Sequence, residues 1–87
     1  MRGAVGVQKY FGIYRAIVTS NSDPEGLRRL EVSVPEVFGA AASVWAAACV
    51  PAGSRARPGV GSLVWVQFEG GDPSKPVWVG VAVTQRR

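Results

Sequence analysis

The feature that most constrains this chain is the stretch from Leu63 to Val83, where two alternating apolar runs, "LVWVQF" and "PVWVGVAV", flank the turn "EGGDPSK". A period of two residues is the signature of a half-buried strand, and a short Gly- and Pro-containing connection joins two such strands as a hairpin. On the first of these strands, Leu63 to Phe68, the residues Val64, Val66 and Phe68 share a face. On the second, Pro76 to Val83, the residues Val77, Val79, Val81 and Val83 do so. These valines and Phe68 are the expected core. Trp65 and Trp78 then fall together on the outer surface. One reading caps each indole with a loop or the N-terminal segment. The other makes them a protein-interface patch, because Trp is enriched in binding hot spots. On the second reading, Trp78→Ala leaves the barrel folded and weakens assembly. The turn has its own chemistry: Gly70 and Gly71 can take positive φ, Asp72 can accept from backbone amides, Pro73 fixes φ, and Pro76 starts a strand where its missing donor is tolerated. Asp72 and Glu69 are only two carboxylates, a poor basis for a cation site.

The rest of the chain fits the same architecture. Its 87 residues allow one small domain, and turn formers recur at spacings that suit an all-β barrel. A first strand is predicted over Gly12 to Thr19, ending at "SNSDPEG", where Asp23 and Pro24 are structural turn residues. A second covers Arg28 to Val34, with Leu30, Val32 and Val34 inward and Arg29, Glu31 and Ser33 toward water. "EVFGAAASVWAAACV" is ambiguous, since its alanines favour helix while Gly39 and Pro51 bracket a short element. A loop or helical turn over Phe38 to Ser43, followed by a third strand from Val44 to Val50, suits a barrel of five strands. "PAGSRARPGVGS" is a loop carrying Arg55 and Arg57. Residues 1–11 read as an N-terminal arm that orders against a neighbour, 12–83 as the barrel, and 84–87 as a solvated tail.

Few enzyme classes suit this composition. There is no histidine, and Cys49 is the only cysteine, so an internal disulfide and the usual Cys/His metal cages are excluded. Cys49 lies in "VWAAACVP", where a small buried hydrophobe is expected. The carboxylates sit in predicted turns or on a solvated strand face, an unpromising setting for a paired acid and base. No catalytic residue, cofactor or metal is therefore assigned. Ten Lys and Arg against six Asp and Glu leave a scattered +4. No apolar run is long enough to span a membrane, and the N-terminus lacks the apolar centre of a secretory signal. Synthesis in the cytoplasm is the default. A groove of Tyr14, Trp45, Trp65 and Trp78 with Arg15, Arg29 and Arg57 is the alternative to protein docking, since small barrels of this kind also bind single-stranded nucleic acid.

The order of these elements resembles a known family. "YRAIVTSNSDPEGLRRLEVSVP", a Trp-containing strand, and "PGVGSLVWVQFEGGDPSKPVWVG" are similar to the OB-fold (Greek-key) barrel of phage baseplate assembly protein V, found also in central spike proteins of contractile-tailed phages and in Vgr spike proteins of type VI secretion. Asp23 and Pro24 match its first turn. Pro58, Gly61, Val64, Val66, Phe68, Gly71, Asp72, Pro73, Pro76, Val77 and Gly80 match its last block, and the likeness runs from Gly12 to Val81. Leu27 stands where a Gly is usual before the Arg of the second strand. The resemblance implies a structural virion part at the tail end, between a hub or tube ring and a tip protein, in a symmetric oligomer. A trimer is favoured and a larger ring is the other possibility. It implies no chemistry for the bare barrel, and with the chain ending at Arg87 neither a β-helical needle nor a lysozyme domain is expected. The expected interface residues are Trp65, Trp78, Tyr14, Arg55 and Arg57.

Overall fold

Alternating runs such as "VWVQF" can bury one face only against another layer or by curling the sheet on itself, and this chain does the latter. The computed structural model describes residues 8–83 of the 87, so most of the expected arm and the whole tail lie outside the described residues. In chain order the elements are β1 (Tyr14–Ser20), β2 (Leu30–Ser33), a single helical turn α1 (Pro35–Phe38), β3 (Val44–Ala48), β4 (Leu63–Phe68), a 3-10 turn (Glu69–Gly71) and β5 (Pro76–Val81). The strands form a closed barrel in the order β1-β2-β3-β5-β4. Neighbours run antiparallel except β3 and β5, which run parallel. This is the five-stranded OB barrel that the sequence predicts.

Inward-pointing side chains from every strand fill the interior: Ala16 and Val18, Leu30 and Val32, Ala46, Val64, Val66 and Phe68, and Trp78, together with Val34 beyond β2. One end is plugged by rings. Tyr10, Tyr14 and Phe38 each lie 5.7–5.9 Å from the Phe68 centroid in tilted or edge-on geometry. Tyr10 belongs to the segment expected to need a neighbour. Its amide instead donates to the Gly71 carbonyl at 2.9 Å within the same chain. Phe11 lies over Gly71, where a Cβ would stand 2.6 Å from the ring, and the φ of 78° there favours glycine.

The structure corrects several expectations. Gly39 to Ser43 is a loop, one of the two forms expected there, and a helical turn precedes it at Pro35–Phe38, where Pro35 supplies an N-terminal residue that needs no donor. Cys49 is exposed, since it lies just past the end of β3. Ser33 is buried, donating its hydroxyl to the Ala40 carbonyl at 3.3 Å.

The largest correction is to β5. Its inward face is Pro76 and Trp78, with Ala82 buried just beyond, while Val77 and Val79 are half-buried and Val81 and Val83 are 50% and 91% exposed. Trp78 is 1% exposed, so it belongs to the core and not to the outer surface with Trp65. The pairing register explains why. Val66 lies opposite Trp78 but Trp65 lies opposite Gly80, so Val79 is the extra residue of a bulge. Trp78 lies directly opposite inward-pointing Val66, on the turn side of the bulge, so it faces the core and the two indoles end on opposite sides of the sheet. Placing the indole inside fills far more of the barrel than a valine would. It also buries an N–H that needs a partner, and Trp78 Nε1 donates to the Arg28 carbonyl at 3.0 Å.

Trp78→Ala is expected to cost about 3–5 kcal/mol, enough to unfold much of a domain this small. Trp78→Phe keeps a ring but strands the Arg28 carbonyl, for a loss of about 1–3 kcal/mol. Urea unfolding followed by far-ultraviolet circular dichroism ranks the two; a fully folded alanine variant would return Trp78 to the surface.

Candidate functional site

The β1–β2 loop is built around one carboxylate. Asp-Pro begins a tight turn, and the Asp23 side chain folds back over it. Oδ1 accepts from the Glu25 amide at 2.9 Å and from Arg29 Nη2 at 2.8 Å. Oδ2 accepts from the amides of Leu27 and Arg29, both at 3.1 Å, and from Arg29 Nε at 3.0 Å. The arginine is therefore gripped side-on by both oxygens, and the Asp23 side chain is only 4% exposed. The Arg29 guanidinium, followed by the amides of Glu25, Arg29 and Leu27, holds the Asp23 carboxyl far below its ordinary value of 3.8, against the opposing effect of desolvation. Inside this clamp Arg28 adopts φ 62°, a left-handed conformation that favours glycine. Leu27 does not have positive φ, so the place in this turn where a glycine would sit most easily is 28 rather than 27.

Outside the barrel, β1 and β4 present a continuous face. Ile17 pairs with Leu63 and Arg15 pairs with Trp65, and on the far side of Trp65 lies Gly80. The Arg15 guanidinium lies 5.0 Å from the Trp65 ring centroid, a cation–π contact, leaving the indole half-buried. Ile17 is 40% exposed, and a Cβ added at Gly80 would meet nothing within 4 Å. The face is thus open, apolar and edged by one arginine.

A second indole repeats the device elsewhere. Trp45, opposite Glu31 on β2, carries the Arg29 guanidinium 5.2 Å from its ring centroid. It borders a shallow groove with Lys75, Pro76 and Val77, near the start of β5, whereas Trp65 lies opposite Gly80 near its end. Of the aromatics expected to line a nucleic-acid groove, Trp78 is inside the barrel and Tyr14 is in the ring plug. The two outward indoles are at different levels of the barrel and do not form one stacking platform.

The remaining expected interface residues sit on the long β3–β4 loop. Arg55 is exposed, and Arg57, also exposed, donates Nε to the Asn21 carbonyl at 3.3 Å. In the β4–β5 turn, Gly70 and Gly71 have φ of 61° and 78°, and Asp72 Oδ1 accepts from the Ser74 amide and hydroxyl at 2.9 and 2.8 Å. These bonds, the amide first, lower the Asp72 carboxyl. Among the described residues there is no cluster of three or more His, Cys, Asp or Glu to hold a metal ion. Both shifted carboxyls move downward, the opposite of what a general acid needs. Ile17 is absent from the expected interface residues, although its spacing from Arg15 on an alternating strand is the signal that places it on the same face.

A family model described as the Type VI secretion system/phage-baseplate injector OB domain matches residues 14–82. Among curated proteins, none matches the chain.

The Asp23 clamp sets a pH dependence. A carboxyl whose folded-state value is depressed adds stability above its unfolded value, near 3.8, and loses it as pH falls toward the depressed one. The urea midpoint is expected to hold steady above about pH 5 and to fall progressively below about pH 4. In Asp23→Asn the midpoint is lower at neutral pH and its acid dependence flatter. An equal acid slope in both proteins would remove Asp23 as its source.

Proposed function

The chain belongs to the family of Type VI secretion and phage-baseplate injector OB domains, and on that premise we propose that it is a structural component of a phage tail or a related injection machine. The family is one of baseplate and spike architecture. The role assigned here is narrower: a docking barrel that joins hub, tube or tip proteins, assembles symmetrically with a trimer favoured, performs no catalysis, and resides in the tail or baseplate of the particle after synthesis in the host cytoplasm.

The observation that carries this reading beyond the family is the open β1–β4 face. Ile17, Leu63 and Trp65 are adjacent on it, and apolar side chains grouped on a rigid sheet favour burial against another protein. The Arg15–Trp65 stack adds the pair of residue types most often found at binding hot spots. Arg55 and Arg57 on the β3–β4 loop offer a second, polar contact surface, and Tyr14 contributes through the ring plug that supports the base of β1. No helix among the described residues is long and apolar enough to cross a membrane.

Sedimentation velocity on the purified chain, from low to high micromolar concentration, is expected to show a concentration-dependent oligomer. Trp65→Ala should leave the circular dichroism spectrum and urea midpoint nearly unchanged while weakening association by about thirty-fold or more, the effect of losing a contact worth about 2 kcal/mol. A chain that stays monomeric throughout, and that mass spectrometry does not find in assembled tail particles, would remove the proposal.

A further inference from the structure

The β1–β2 and β3–β4 loops meet over one rim of the barrel and flank a half-open cleft of about 240 Å³ lined by Asn21, Asp23, Arg28, Arg29, Ala56 and Arg57, among others. Arg28, Arg29 and Arg57 line it alongside a single carboxylate. That carboxylate is fully engaged, because Asp23 already accepts five hydrogen bonds, two of them from the Arg29 side chain. Arg28 and Arg57 are in a different position. Arg28 donates Nη1 to the Ala56 carbonyl at 3.3 Å, and Arg57 donates Nε to the Asn21 carbonyl, also at 3.3 Å. Neither has an acidic partner among the described residues. Each guanidinium carries five N–H donors, so most of the donors on both remain free.

The walls of the cleft are braced. Asn21 Nδ2 donates to the Pro58 carbonyl at 3.0 Å, so with the two arginine contacts three bonds tie one loop to the other. On the β1–β2 side, the Arg28 carbonyl is fixed by the buried Trp78 indole. Two cations with no carboxylate partner among the described residues thus line one braced cleft, and a bound anion would fill their free donors.

We propose that this cleft binds an oxyanion, a carboxylate or phosphate group, between Arg28 and Arg57. The planar fork of arginine matches both groups with two parallel hydrogen bonds, and the cleft has room for the anion and part of its water shell. The source is either a free ion or an acidic side chain of a docked protein. The site stands on the geometry of the isolated chain and does not depend on the docking role proposed above.

The test is a titration of the labelled full chain at constant ionic strength with sodium phosphate, sodium acetate and a short peptide containing two glutamates, followed by ¹H–¹⁵N NMR. Saturable shifts are expected at the side-chain Nε–H of Arg28 and Arg57 and at the amides of Gly26 and Ala56, with Arg55 unaffected. Arg57→Ala should weaken binding about ten-fold or more, and Arg57→Lys, which keeps the charge without the fork, by less. Arg28→Gly, which suits the left-handed backbone, removes the second guanidinium in a protein whose remaining resonances report an intact fold. Tighter binding of the peptide than of acetate would assign the anion to a partner protein, and tightest binding of phosphate to a free ion. Linear, non-saturating shifts shared by every arginine, or affinities unchanged in Arg57→Ala and Arg28→Gly, would overturn the proposal.

Discussion

The hydrogen bond from Trp78 Nε1 to the Arg28 carbonyl ties the core of this barrel to its surface. A small barrel needs a bulky side chain at its centre, and an indole supplies the volume along with a donor that cannot be left unpaired. Satisfying it requires a carbonyl aimed inward from a loop. The β1–β2 loop provides one by holding Arg28 at φ 62°, which a non-glycine residue sustains only where its surroundings compel it. Those surroundings are the Asp23 carboxylate, which gathers the amides of Glu25, Leu27 and Arg29 and the Arg29 side chain into one knot. A buried ring, a strained backbone and a part-buried ion pair therefore act as one unit.

Much of this was legible in the sequence, and what was not fails for a definable reason. The bounds of β4 and the inward set Val64, Val66 and Phe68 follow from a strand whose other face carries Gln67 and an indole, so parity and polarity agree. On β5 they do not. "PVWVGV" is apolar at every position but one, and period-two reasoning cannot choose a face when both are apolar. The bulge at Val79 then offsets β5 against β4 partway along, and a bulge in such a run leaves no polar residue to mark it. Cys49 illustrates the same blindness: an apolar neighbourhood in sequence says nothing about where the strand ends. Asp23 was legible as a turn former. Its grip on Arg29 was not, because that depends on the loop returning along its own path.

Both outward indoles, Trp45 and Trp65, lie beneath a guanidinium, from Arg29 and Arg15 respectively. An arginine over an exposed ring keeps it solvated at the edge and apolar at the face, so the surface stays soluble while remaining ready for contact. The two pairs differ in setting. Arg29 is bound to Asp23, so the Trp45 stack is part of the loop knot. Arg15 has no such anchor among the described contacts, and the Trp65 indole can be uncovered by moving one side chain. That difference favours the β1–β4 face as the surface where a partner displaces the cation and covers the ring.

Closure of the barrel bears on function in the same way. A closed sheet has no free edge, so it neither templates strand addition nor gains affinity through it, and recognition falls to outward side chains and loop rims. Here those are an apolar stripe along β1 and β4 and a positively charged rim between two cross-braced loops. The first offers apolar area with little charge, and the second offers guanidinium forks whose planar geometry suits an oxyanion. Each is held in place by the buried indole, which fixes β5 beneath Trp65 and the Arg28 backbone at the rim.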